Sequence, residues 1–144
     1  MKIEQISIFL ENRAGRLSDI TKCLADAKIN IRALSLADTS DFGILRLIVN
    51  NTEKAKTLLK ENGFTLGSTS VVAIEIGDTP GELNSVISIV SKNNINIEYM
   101  YAYMPRSLQK AVLIFRFDRT DQAIEIFTQN NIKVLSAKEI YSSE

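Results

Sequence analysis

The sequence predicts an α+β fold: two tandem βαββαβ units, each an antiparallel sheet with its helices on one face. Three observations carry that expectation. The chain repeats itself at one constant offset: Ile6, Ile8 and Leu10 fall on Val72, Ile74 and Ile76, Gly15 on Gly81, Leu17 on Leu83, and Ile29-Asn30-Ile31 on Ile95-Asn96-Ile97. Repetition in register fixes the unit of folding. Within each copy the hydrophobic spacing passes from strand-like alternation to a helical stripe and back. Finally, 144 residues at 45% hydrophobic content suit one domain or two small ones. A copy of roughly 65 residues is near the lower limit for an independent core, so the halves are expected to pack on each other.

Gln5 to Leu10 alternates, with Ile6, Ile8 and Leu10 on one face, the period of a half-buried strand. Glu11-Asn12-Arg13-Ala14-Gly15 breaks the alternation, and Leu17, Ile20, Leu24 and Ala27 then form a helical stripe. Ile29 to Ala37 reads as a second strand, Asp38-Thr39-Ser40-Asp41 as a polar turn, and Gly43 to Val49 as the other arm of a hairpin. Asn50-Asn51-Thr52 offers capping side chains to a helix with Ala55, Leu58 and Leu59 on its apolar stripe, and Asn62-Gly63 stops it. A short strand from Phe64 closes the unit, and Gly67-Ser68-Thr69-Ser70 reads as a linker.

The second copy repeats the order: strand Val71 to Ile76, loop Gly77 to Gly81, helix Glu82 to Lys92 and strand Ile95 to Met104. Its hairpin, around Pro105-Arg106-Ser107, is longer by two residues. Strand Lys110 to Phe117, helix Asp121 to Gln129 and a final strand Lys133 to Lys138 follow. This is the split βαβ, or ferredoxin-like, arrangement, whose right-handed crossovers put both helices of a unit on one face of a four-stranded sheet. The domains are expected at 1–68 and 69–144.

Seventeen basic residues balance seventeen acidic ones without a polybasic block, so no electrostatic footprint for nucleic acid or an anionic membrane is visible. The charged start Met1-Lys2-Ile3-Glu4-Gln5 lacks the apolar region of a signal peptide, and no run approaches the ~20 apolar residues that span a bilayer. A soluble cytoplasmic protein is expected. Cys23 stands alone, which excludes an intrachain disulfide and a cysteine metal cluster, and its apolar helical setting reads as a buried structural thiol. The absence of histidine removes the commonest general base, the commonest metal ligand and every Ser/His or Cys/His nucleophile pair. Neither a catalytic constellation nor a cofactor or metal site is expected.

In each copy the loop after the first strand opens directly into a helix, whose first N–H groups carry partial positive charge and suit a carboxylate or phosphate. Gly15 and Gly81 read either as turn formers or as places where a ligand meets bare backbone. Tyr99, Tyr101 and Tyr103 share one strand face, with Met100 and Met104 on the other; packing and a ligand wall are both open readings. Aromatics on such a sheet also occur in RNA-recognition modules, but there they lie on the central strands, and the net charge here is zero.

Glu11-Asn12-Arg13-Ala14-Gly15-Arg16-Leu17 with Ile29-Asn30-Ile31, and Asp78-Thr79-Pro80-Gly81-Glu82-Leu83 with Ile95-Asn96-Ile97, resemble the signature of ACT domains. The resemblance covers nearly the whole chain as two tandem copies. It implies small ligand-binding modules that regulate amino-acid metabolism. The ligand, a free amino acid, would sit where two modules meet, held by the first loop of one and the start of the second strand, often of its neighbour. Carried over, the implied ligand positions are Asn12, Arg13, Ala14, Gly15, Arg16, Leu17, Asn30 and Ile31, and in the second copy Asp78, Pro80, Gly81, Glu82, Leu83, Asn96 and Ile97.

Asn12 offers an acceptor for an ammonium and a donor for a carboxylate, whereas an ionised Asp78 only accepts. Asn12 also reads as a turn or helix cap. Ala14 departs from the proline frequent in the family, which Pro80 keeps. The function expected is an amino-acid-binding regulatory protein, a homodimer, with a metabolic enzyme as a further partner. The alternative is a ligand-free interaction module that docks such an enzyme. Apolar residues on both faces of Gly43 to Val49, with Leu34 and Leu36 beside them, lead to the expectation of module pairing or a homodimer.

Overall fold

The structure is a computed structural model that describes residues 1–38, 41–103, 105 and 110–142, with the backbone alone at 38 and 142. Thr39 and Ser40 of the first expected turn, Arg106 and Ser107 of the second, and Met104 lie outside the described residues. The chain divides into two compact units, Glu4–Thr69, and Ser70–Glu144 together with Met1–Ile3, here the first and second modules.

The first module holds β1 (Ile3–Glu11), α1 (Arg16–Asp26), β2 (Ile31–Asp38), β3 (Phe42–Val49), α2 (Thr52–Glu61) and the opening residues of β4 (Thr65–Gly77). β3 pairs antiparallel with both β1 and β2, and β4 lies beside β1, which gives the order β2-β3-β1-β4. The alternation read in β1 places Ile6, Ile8 and Leu10 in a core with Leu45, Leu47 and Val49 of β3. Ile20 and Leu24 of α1 and Ala55 and Leu59 of α2 close that core, so both helices cover the same face. Asn51 caps α2 by accepting from the Lys54 N–H at 3.2 Å, and Gly63, at φ 85°, ends it. On the face turned from the helices, Gln5, Ala33 and Ile48 are buried, while Phe9 and Phe42 are about half exposed.

The second module repeats the plan with the rest of β4, α3 (Glu82–Lys92), β5 (Ile97–Tyr103), β6 (Lys110–Phe117), α4 (Thr120–Gln129) and β7 (Lys133–Leu135). Its order is β7-β4-β6-β5, the arrangement of the first module again. Where the first core has Leu47, Val49 and Leu59, the second has three aromatic rings. Phe115 and Phe117 stack with centroids 5.0 Å apart, and Phe127 meets them at 6.3 and 5.8 Å. Met100 packs against this core, and Tyr99, Tyr101 and Tyr103, half-buried, occupy the other face of β5 opposite Arg116, Ile114 and Val112.

Four expectations need correction. The residues read as a linker, Gly67-Ser68-Thr69-Ser70, lie inside β4, which runs unbroken from Thr65 to Gly77. Ser68 is fixed there by donating its hydroxyl to Glu4 Oε2, which also accepts from Lys56 Nζ at 2.7 Å. The final strand stops at Leu135, and Ala137–Ser142 form a short helix, α5. A capping box starts it: the Glu139 N–H donates to Ser136 Oγ at 3.2 Å, and the Ser136 N–H to Glu139 Oε2 at 2.7 Å. The second strand of each module begins two residues after Ile29 or Ile95. Asn30 and Asn96 make paired contacts instead, each donating its N–H to a side-chain oxygen, of Asn50 or Asp118, at 3.0 Å. Cys23, read as buried, is partly exposed.

Among the described residues, no helix is long and apolar enough to cross a membrane.

Truncating Phe127, which touches both other rings, is expected to cost about 3–5 kcal/mol in chemical denaturation of the Phe127→Ala variant. The Glu4 cluster adds an acid dependence. Hydrogen bonds from Lys56 first, and then from Ser68, hold the Glu4 carboxyl below its ordinary value. Its contribution is therefore complete above the unfolded-state pKa and disappears as pH falls through the folded-state one. Denaturation midpoints measured from neutral pH down to about pH 3 should fall less steeply in Glu4→Gln than in the parent.

Candidate ligand site

Each first loop must turn the chain from the end of a central strand into a helix within a few residues. Gly15 and Gly81 make that turn at φ 93° in both modules, with ψ of −21° and −17°. An added Cβ at either meets nothing within 4 Å, so the demand for glycine comes from the backbone angle. The Asn12 N–H donates to the Asp41 carbonyl at 2.9 Å, and the Arg13 N–H to the Glu11 carbonyl at 2.9 Å. These bonds fix the loop against the β3 side of the sheet end.

At the first turn of α1 the Arg16 N–H reaches the Arg13 carbonyl at 3.4 Å and the Asp19 N–H the Gly15 carbonyl at 2.9 Å. The second loop matches, with Glu82 N–H to Thr79 at 3.3 Å and Ser85 N–H to Gly81 at 3.0 Å. Among the described residues the N–H groups of Leu17 and Ser18, and of Leu83 and Asn84, have no acceptor. These are the orphan donors of a helix N-terminus, aimed out of the helix with the positive end of its dipole.

The expected site residues fall into distinct places. Asn12, Arg13, Ala14 and Gly15 are exposed together, as are Asp78, Pro80 and Gly81. Arg13 is turned to Glu11, Nε to Oε2 at 2.9 Å. Leu17 packs against the first core, while Leu83 is 44% exposed. The Arg16 side chain leaves the loop, its Cζ lying 4.6 Å from the centre of the Phe64 ring. The Glu82 carboxylate bends back over the second loop, where Oε1 accepts from the Thr79 hydroxyl at 3.4 Å. Ile31 and Ile97 pack on their cores, and Asn30 and Asn96 are exposed beside them. In the second module Asn96 and Ile97 line a hollow of about 450 Å³ with Ile87, Val90, Ser91 and Asn94.

Within one module the two halves of the expected site are far apart. Leu10 lies opposite Gly43, and Ile31 opposite Val49. Six steps of strand separate Gly43 from Val49, or about 20 Å at ~3.3 Å per residue. The loop and the start of β2 therefore stand at opposite ends of the same sheet. Sequence reasoning did not find Asp41, whose carbonyl anchors Asn12, or Phe64, which draws Arg16 aside; each acts through a fold-dependent contact with no local signal.

Residues 1–143 match the family described as the ACT domain pair, and the chain belongs to that family. It is a regulatory family, and no catalytic family is indicated. Among solved structures, protein BT0572 from Bacteroides thetaiotaomicron is 39% identical, with a TM-score of 0.93 over 99% of this chain and 97% of that one. The ligand-free regulatory subunit of aspartate kinase from Thermus thermophilus is 16% identical, with a TM-score of 0.62 over 88% and 90% of the two chains. The equivalent subunit from Thermus flavus is 15% identical, with a TM-score of 0.62 over the same shares. At those identities the two Thermus subunits share the fold with this chain. No curated protein matches it significantly.

Gly15→Ala and Gly81→Ala test the equivalence of the loops. Both force a side chain into the left-handed region without a steric clash, so each should cost a similar ~1–2 kcal/mol in chemical denaturation.

Proposed function

We propose that this chain is an amino-acid-binding regulatory protein, and that the ligand is held by a first loop and by the start of a second strand from a different module. The observation that carries the reading is the pair of superimposable loops, each with a left-handed glycine and unpaired first-turn N–H groups suited to a carboxylate. The first loop is the stronger candidate. Asn12 is exposed there, and its amide can meet both ends of a zwitterion, which an ionised Asp78 cannot. The separation of loop and strand start within a module requires the second contribution to come from elsewhere, from the other module or from a second copy in a homodimer. Family membership supports regulation, and two of the structural relatives are regulatory subunits of aspartate kinase. A metabolic enzyme as partner, and the cytoplasm as the location, follow from the same reading.

A second reading is favoured by the exposed Phe9 and Phe42, which share the sheet face turned from the helices and would let a ligand-free module dock a partner enzyme. Thermal melting against each common amino acid separates the two. A ligand at ~100 times its dissociation constant should add about 2.7 kcal/mol and raise the melting temperature by several degrees. In Asn12→Ala that shift should vanish with the oligomer mass unchanged. No shift with any amino acid would sink the sensor, and a ligand-independent change in mass with a partner would favour the scaffold.

A further inference from the structure

Each module carries a groove along its first core helix and the residues at and beyond the end of its second. In the first module Arg16, Asp19, Cys23, Leu58, Asn62 and Phe64 line about 500 Å³. In the second, Glu82, Ser85, Ile89, Asn130 and Ile132 take the matching places around about 470 Å³, a hollow that Glu75, Lys110 and Lys133 of the strands also line. The groove is thus a product of the fold, and its chemistry is decided residue by residue.

Arg16 is out of place by local rules. It occupies the first position of α1, where the positive end of the helix dipole disfavours a cation; the second module has Glu82 there. Its guanidinium is held against the Phe64 ring, and its described polar partner is Asp19, Nη1 to Oδ2 at 3.4 Å. The Nε–H is buried without an acceptor among the described residues. Asp19 therefore takes one corner of the guanidinium and leaves the Nε and Nη2 edge unused, the edge that receives a carboxylate side-on. Lys22 and Asp26, at the far end of the groove, neutralise each other at 2.8 Å. Leu58, Phe64 and the Cys23 thiol supply an apolar floor.

We propose that this groove binds a small organic carboxylate with an apolar body, the carboxylate on the free edge of Arg16 and the body against Leu58, Phe64 and Cys23. A small rotation of the guanidinium brings the buried Nε–H to the ligand, which supplies the acceptor that the fold does not. In the second module Glu82 stands where Arg16 does, so the guanidinium fork is missing there, although Lys110 and Lys133 also line that groove. The site does not depend on the amino-acid reading of the loops and stands if Asn12 has no part in binding.

Cys23, the one cysteine of the chain, is a built-in reporter on the groove wall. Its alkylation by iodoacetamide is followed by mass spectrometry with benzoate as the probe, benzamide as its uncharged counterpart, and ionic strength held constant with chloride. Benzoate at ~10 times its dissociation constant should slow alkylation by about tenfold, and benzamide should not. The protection should disappear in Arg16→Gln, weaken in Arg16→Lys, which keeps the charge and loses the fork, and persist in Asn12→Ala. Asn62→Asp, which adds a carboxylate without touching the Arg16 stack, should weaken it independently. A rate unchanged by benzoate into the millimolar range, or equal protection by benzamide or in folded Arg16→Gln, would overturn the proposal.

Discussion

The left-handed glycine at the start of α1 and α3 is the constraint on which the rest depends. At φ 93° it turns the chain into the helix at the end of a four-residue loop, 12–15 or 78–81, that follows a central strand. That entry aims the apolar stripe of α1, Ile20 and Leu24, at Ile6, Ile8 and Leu10, and that of α3, Val86 and Val90, at Val72 and Ile74. It also leaves the first-turn donors facing outwards. Core and candidate site are therefore set by one backbone angle, and the same angle appears twice.

Around that shared frame the copies have diverged in ways that make physical sense. The first core is filled by Leu47, Val49 and Leu59, and the second by Phe115, Phe117 and Phe127 at the matching positions. The cap of α2 is a side-chain oxygen of Asn51, whereas α4 follows Arg119, which makes no such bond. Arg119 instead donates to the Asn94 carbonyl, and in the first module the Lys54 amine donates to the Ala27 carbonyl at 2.8 Å. In each case a cation from the second helix region meets carbonyls at the end of the first helix, where positive charge is favourable. Arg16 and Glu82 are the sharpest divergence, since they exchange sign at one position of one helix.

Much of this was legible in the sequence. Strand alternation at Ile6, Ile8 and Leu10, the helical stripe at Ile20 and Leu24, the Asn51 cap and the Gly63 stop are local signals whose meaning survives folding. The errors have equally local causes. Gly67-Ser68-Thr69-Ser70 has linker composition, but backbone pairing beside β1 and the Ser68 hydroxyl bond to Glu4 decide its conformation. Ser136-Ala137-Lys138-Glu139 carried a capping box that the short alternation before it concealed. For the site, the loops could be located because glycine and the helix start are sequence features. The direction of Arg16 could not, because Phe64 reaches it only through the packing of α2 on α1.

The distance along β3 between Gly43 and Val49 has a further meaning. A free amino acid spans a small fraction of the ~20 Å between the Asn12 loop and Asn30. Under the sensor reading, a single βαββαβ unit cut from this chain would be half a receptor, however well it folded.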